Sequence, residues 1–334
     1  MSTKPYFCLY AHNLVVRGAT RSAIYDLQRQ TIIPIPSILH SILTHLKQYP
    51  WRETQRIFAS RNEALFGQYM QFLLDRELGF FVSSPACFPA LDLQWHSPHH
   101  IQNAVVSYAF RDYDLEDVLS QLDALHCRHL ELQLNLGSHC WEDVLPFFQQ
   151  LQTTGFLSVN VVLAYSAAGP SEQQLAELYQ QCGKIQHILV HSAPYNRVGS
   201  AHPHNLAFVR TDVRTTKPRN RYVVSSEYFT EALRYNPYYN RKVCVSETGH
   251  VKNCLLRPEH FATVQTTRLA TVLGDPAFQE LWHAAADHTV GLRDSELRYA
   301  HFSADYLVRD TASGLYTHVP YLVSAQPVPQ AVAA

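Results

Sequence analysis

No two cysteines of this chain are spaced as CxxC, and none as CxxxCxxC, so no single stretch supplies a zinc ribbon or the thiolate cradle of an iron–sulfur cluster. GxGxxG and GxxxxGK[ST] are also absent, which excludes the common phosphate-holding loops. There is no GxSxG elbow, and no cysteine sits in a local His/Asp setting that would activate it. Apolar runs stop short of the roughly 20 residues that span a bilayer, and Met-Ser-Thr-Lys-Pro-Tyr at the start has no long apolar core. Cytoplasmic residence is therefore expected. With 27 Lys and Arg against 28 Asp and Glu, the net charge of −1 gives no global field, so neither nucleic acid nor a membrane is expected as partner. The seven cysteines are scattered and odd in number, which fits reduced thiols rather than a disulfide framework.

What is present is a chain of 334 residues, 46% of them hydrophobic, enough for two or three compact units. Runs rich in β-formers at 6–10, 14–17 and 22–27 are separated by His12-Asn13 and Gly18-Ala19-Thr20, which predicts an antiparallel meander. After Pro34-Ile35-Pro36, Ser37 is the expected cap of a helix with Ile38, Leu39, Ile42, Leu43 and Leu46 at helical spacing. Helices at 54–59 and 63–77 and a strand at 80–82 complete a winged-helix-like plan. This plan is similar to the precursor-recognition element of peptide-maturation enzymes. The similarity implies a peptide laid along a sheet edge near Ile24, Tyr25 and Leu27, with Tyr69, Phe72 and Leu73 as the opposite wall. An unpaired edge offers backbone donors and acceptors, and apolar pockets beside it select side chains.

From 103 to about 191 strands and helices alternate: strands at 104–108, 129–134, 159–163 and 187–190, helices at 114–125, 141–152 and 171–181. This succession predicts βαβ units with right-handed crossovers in an α/β fold. The strands read as nearly continuous apolar runs, covered on both faces. A partial (β/α) barrel and an open doubly wound sheet both satisfy the pattern. Residues 192–220 show no periodicity and carry Arg210, Arg214, Lys217, Arg219 and, at the end, Arg221. That basic stretch is either a solvated loop or a docking patch for an acidic peptide or partner. A strand at 222–225, a helix at 227–235 and a hairpin turning near Thr248-Gly249 follow, and the Pro/Ala-rich end from Gln326 reads as a tail.

Five segments carry a resemblance: 21–29 (Arg-Ser-Ala-Ile-Tyr-Asp-Leu-Gln-Arg), 191–196 (His-Ser-Ala-Pro-Tyr-Asn), 236–242 (Asn-Pro-Tyr-Tyr-Asn-Arg-Lys), Gly249 to Cys254, and 294–301, which contains Glu296-Leu297-Arg298-Tyr299. They resemble pseudo-radical-SAM, SPASM-like maturases of ribosomally made peptides (RiPPs), of the grasp-with-SPASM or GG-leader Bacteroidales-type systems. The likeness is loose over most of the chain and most specific at the Asn-Arg-Lys hairpin and Glu296 to Tyr299. It implies a leader-recognition domain at 1–84, a partial (β/α) barrel resembling the radical-SAM core at 85–235, a SPASM-like domain at 236–323 and a tail at 324–334. It further implies a protein that binds a precursor's leader and presents the peptide to a catalytic partner, a radical-SAM enzyme or an ATP-grasp ligase.

Positions that resemble the family's later cysteines hold Leu292, Ser295 and His301, and no cysteine follows Cys254. A cluster needs about four thiolates, so no iron–sulfur cofactor and no catalytic residue is expected. Zinc accepts mixed sulfur and nitrogen ligands, which makes Cys244, His250, Cys254 and His301 one candidate set, against burial of both thiols as small apolar side chains. His96-Ser97-Pro98-His99-His100 is a second histidine cluster, in a loop context. The competing functional reading is a metal-dependent (β/α)-barrel enzyme acting on a small molecule or peptide through some of the nineteen histidines.

Overall fold

The computed structural model describes residues 5–60, 62–198, 205–216 and 218–319. It opens with β1 (Tyr6–Leu9), β2 (Asn13–Arg17), β3 (Ser22–Asp26) and β4 (Thr31–Ile35). Then come α1 (Ser37–Leu46), α2 (Trp51–Phe58), α3 (Glu63–Asp75) and β5 (Gly79–Val82). The antiparallel meander is β2-β3-β4, while β1 pairs with β5 across the three helices. Two expectations are thereby corrected. β4 is a strand despite Pro34, which has no N–H to donate and is tolerated because β4 lies at the sheet edge. Ser37 does not cap α1: Pro36 holds that place, and the Ser37 hydroxyl donates to Thr20 O at 3.3 Å.

β3, the middle strand, is apolar on both faces. Ile24 joins Val15, Ile33 and Ile35 against Leu39, Ile42 and Leu43 of α1 and Phe66, Met70 and Leu73 of α3. On the other face Ala23 and Tyr25 join Val16, Leu14 and Ile32 against Phe229, Ala232, Tyr299 and Ala300 from far along the chain. That second contact is pinned by polar bonds from the segment 294–299. Arg21 pairs with Glu296, Tyr25 Oη donates to Glu296 O at 2.9 Å, and Arg298 Nη1 donates to Arg17 O at 2.6 Å. A Cβ on Gly18 would stand 2.7 Å from Glu296 N and 2.8 Å from Arg21 O, so only glycine admits this approach.

The second part of the chain builds one large sheet. Its elements are β6 (Asn103–Tyr108), α4 (Leu115–Ala124), β7 (His129–Leu134), α5 (Leu145–Thr153), β8 (Ser158–Ala164), α6 (Glu172–Gln181), β9 (Ile185–His191), β10 (Arg197–Val198) and β11 (Leu206–Phe208). β12 (Arg221–Tyr222), α7 (Ser226–Ala232), β13 (Lys242–Val245), β14 (His250–Lys252), β15 (Ala262–Thr263), α8 (Leu269–Leu273) and α9 (Pro276–Gln279) follow. β16 (His301–Phe302), β17 (Tyr306–Arg309) and β18 (Tyr316–Val319) end the described chain. The sheet order is β10-β11-β9-β8-β7-β6-β13-β14-β15, with β11, β9, β8, β7, β6 and β13 parallel. Asp114, Ser171 and Ser225 cap α4, α6 and α7 by accepting from backbone N–H groups of the first turn.

Because β6 to β9 are laid down in order, each right-handed crossover places its helix on the same face. One continuous core fills that face, drawing on α4, α5, α6 and α8 and extending to Leu307 and Tyr316. β10 and β15 are the sheet's two ends, and they do not pair with each other among the described residues. The segment 192–220, read as unstructured, contributes β10 and β11. At the β13–β14 hairpin Gly249 has φ +81° and its N–H donates to Ser246 O at 2.9 Å. Gly249→Ala is expected to lower stability by about 1–2 kcal/mol, the cost of a left-handed conformation for an L side chain, read as a shift of the urea midpoint.

Candidate functional site

Alternate residues of a strand face opposite ways. Ala104, Val106, Leu130, Leu132, Val159, Val161, Ile188, Val190, Val243 and Val245 enter the helix-covered core. Between them Asn103, His129, Glu131, Gln133, Asn160, Lys242 and Cys244 line a cleft of about 590 Å³ on the other face. The strands are therefore half polar, not apolar on both sides as the sequence reading has it. The signal was legible: His129, Glu131 and Gln133 stand two apart within β7, as do Lys242 and Cys244 within β13.

The cleft's polar groups differ in how well they are satisfied. Glu131 accepts from Gln133 Nε2 at 2.7 Å, and His129 Nδ1 lies 2.7 Å from Ser158 Oγ. Burial lowers the pKa of His129, which keeps its ring neutral near neutral pH. Asn160 Oδ1 is buried with no hydrogen-bond partner among the described residues. The Lys242 ammonium stands 3.6 Å from the centre of the Tyr238 ring, with the residue only 8% exposed. Across the cleft, Arg214, Thr216, Pro218 and Arg221 form a wall from the 213–221 segment. The Arg221 guanidinium lies 4.2 Å over the Phe302 ring.

Part of the predicted basic patch is engaged within the fold. Arg214 pairs with Asp212 at 3.0 Å and Glu247 at 3.2 Å, and its hydrogen bond holds the Asp212 carboxyl below its usual range. Asp212 in turn lies 3.4 Å from Nδ1 of the buried His191, so the 191–196 segment is tied to this wall. Arg210 Nε donates to Pro194 O at 3.0 Å. Arg219 is exposed, and Lys217 lies outside the described residues. Of the predicted set, Arg214 and Arg221 reach the cleft.

The residues of the candidate peptide edge do not lie at a free edge. Ile24, Tyr25 and Leu27 are buried, and β3 is paired on both sides, so it has no free edge to lend. Leu73 is core, while Tyr69 and Phe72 are half-buried on α3. Tyr69 lines a second, apolar cleft of about 250 Å³ with Ile38, Ile42, Ile57, Phe58 and Leu65, between α1, α2 and α3.

The zinc set does not assemble. Cys244 Sγ donates to Asn253 O at 3.6 Å, and burial pushes its thiol up to about 12. Cys254 Sγ is 3.4 Å from Tyr238 Oη, His250 stacks on His260 at 4.2 Å, and His301 faces Tyr222. Among the described residues no three His, Cys, Asp or Glu side chains converge as a metal site would require. The 96–100 loop is held by Arg241, whose Nη1 donates to Ser97 O at 3.2 Å and also to His99 O, while its guanidinium lies 5.0 Å over the Trp95 ring. No helix among the described residues is long and apolar enough to cross a membrane.

No protein-family model matches the chain, and no curated protein matches it significantly. The crystal structure of Streptococcus suis SuiB bound to S-adenosylmethionine is similar at 11% identity and a TM-score of 0.28, covering 90% of this chain and 93% of that one. That of Streptococcus suis SuiB bound to precursor peptide SuiA is similar at 11% identity and a TM-score of 0.23, covering 81% of this chain and 89% of that one. A likeness this slight carries no argument about fold or activity.

Proposed function

We propose that this chain binds a ribosomally made precursor peptide and presents it to a separate catalytic protein, a radical-SAM enzyme or an ATP-grasp ligase. The observation that carries the reading is the cleft on the parallel sheet, where polar side chains stand among Val105, Val162 and Leu189. Amide, imidazole and charged side chains from four strands line a cleft of about 590 Å³, the size and chemistry suited to a ligand with many hydrogen-bonding groups. In this reading residues 1–84 are a winged-helix-like recognition unit, 85–235 a partial (β/α) barrel and 236–323 a SPASM-like region without clusters, while the sequence-predicted tail at 324–334 lies outside the described residues. The sequential order of β6 to β9, with α4, α5 and α6 packed in one core, supports the partial barrel, while β13 stands out of sequence beside β6.

The leader is assigned to the apolar cleft between α1, α2 and α3. Ile38 and Ile57 are more than two-fifths exposed there, at 42% and 44%, and an amphipathic peptide would cover them. The outer edge of β4 is the weaker choice because Pro34 removes a donor from it. The test is calorimetry with the precursor peptide encoded beside the gene. Wild-type protein is expected to bind it, and Ile57→Asp is expected to weaken binding by about tenfold or more, the loss from placing a charge against an apolar ligand face. Absence of binding by the wild type would overturn the reading.

A further inference from the structure

The geometry points to Lys242 as the anchor for a carboxylate, and we infer that the cleft takes an acidic segment of a peptide; this rests on the peptide-binding reading above. A lysine is rarely buried unless it is paired. Lys242 is 8% exposed, faces the cleft and rests on the Tyr238 ring, yet no carboxylate among the described residues forms an ion pair with it. A ring face offsets part of the desolvation of an ammonium, and leaves its donors on the open side for a ligand.

The cations left without an ion pair select the sign of that ligand. Arg214 is already held by Asp212 and Glu247, and Glu131, which accepts from Gln133 and keeps its charge, forms no ion pair with Lys242 or Arg221. Lys242 and Arg221 remain, the first deep and the second at an exposed wall, stacked on Phe302. Two cations without acidic partners in a cleft of this volume call for an anion larger than a single ion. The neighbouring Asn103, Asn160 and Gln133 side chains offer both donors and acceptors, as backbone amides do, and the unpartnered Asn160 Oδ1 requires a donor. Carboxylate together with N–H donors is the chemistry of a peptide segment bearing Asp or Glu.

The test uses a fluorescein-labelled hexapeptide with two central glutamates and its glutamine twin, read by anisotropy on the full chain. Wild type is expected to prefer the glutamate peptide by about tenfold or more, the effect of one charge-assisted hydrogen bond, and to lose that preference as salt is raised. Lys242→Met, which keeps the stem on Tyr238, is expected to abolish the preference, and Lys242→Arg to retain it. Arg221→Gln, at an exposed position, is expected to reduce it, and gives an answer even where Lys242→Met does not fold. Equal affinities of wild type for the two peptides, or an undiminished preference in a folded Lys242→Met, would overturn the proposal. A precursor that binds wild type and Lys242→Met equally removes the anchor and leaves the peptide-binding reading intact. If no precursor binds but the glutamate preference and its loss in Lys242→Met are seen, the anchor stands and the reading falls.

Discussion

Tyr25→Ala is expected to destabilise the protein by about 3–5 kcal/mol, the range for truncating a buried aromatic. The side chain is wholly buried, its ring meets Phe229 edge to face at 5.1 Å, and Phe229 meets Tyr299 at 5.3 Å. Removing it opens a void where the N-terminal sheet meets α7 and the 294–300 segment, and collapse is opposed by the bonds that hold the two sides, Arg21 to the Glu296 carboxylate and Ala19 N–H to Asp294 O at 2.8 Å. Tyr25→Phe removes only the hydroxyl bond to Glu296 O, so about 1 kcal/mol is expected. Urea unfolding of both variants is the measurement. A small loss in Tyr25→Ala accompanied by weakened precursor binding would restore Tyr25 as a ligand contact and sink the structural assignment.

Glu231 carries the second large effect, and it depends on pH. Burial is the main cause that pushes its carboxyl up from 4.5 to about 7. Asn240 Nδ2, donating at 2.8 Å, opposes the shift, Glu227 adds to it, and Arg241 and Arg128 offset part. Between those two values the folded state holds a proton that the unfolded chain has released. Stability from this group is therefore complete below about 4.5 and is lost as pH rises through about 7. Glu231→Gln keeps an acceptor for Asn240 and removes the charge. It is expected to be more stable than wild type by on the order of 2–3 kcal/mol at about pH 8, with little difference near pH 4. Urea midpoints across that interval decide the matter, and parallel profiles for the two proteins would refute it.

Much of the architecture follows from local pattern. The helical spacing in 37–46 and 63–75 and the strand–helix alternation from 103 to 191 are properties of short windows, and the structure has elements at those places. What escaped depends on partners distant in sequence. β1 resembles the first strand of a meander until β5, some seventy residues on, takes it as partner. Tyr25 looks like half of a one-sided strand because residues 229 and 299, which cover its second face, carry no local mark of doing so. Arg214 reads as a free cation until Glu247 arrives from the far end of β13. The cleft is the exception, since its period-two polar pattern stands in β7 and β13 between the apolar residues that face the core.

The meander's second apolar face has a consequence for how such a protein can be inherited or engineered. Leu14, Val16, Ala23, Tyr25 and Ile32 need Phe229, Ala232 and Tyr299 to be kept from water. The front end is thus not a detachable cassette. Its hydrophobic interior is completed by residues two hundred positions later, and the resembling segments at 21–29 and 294–301 meet at that seam. A graft of the first 84 residues onto another protein would have to bring the matching strip of the C-terminal region with it, and sequence drift on one side of the seam is constrained by the other.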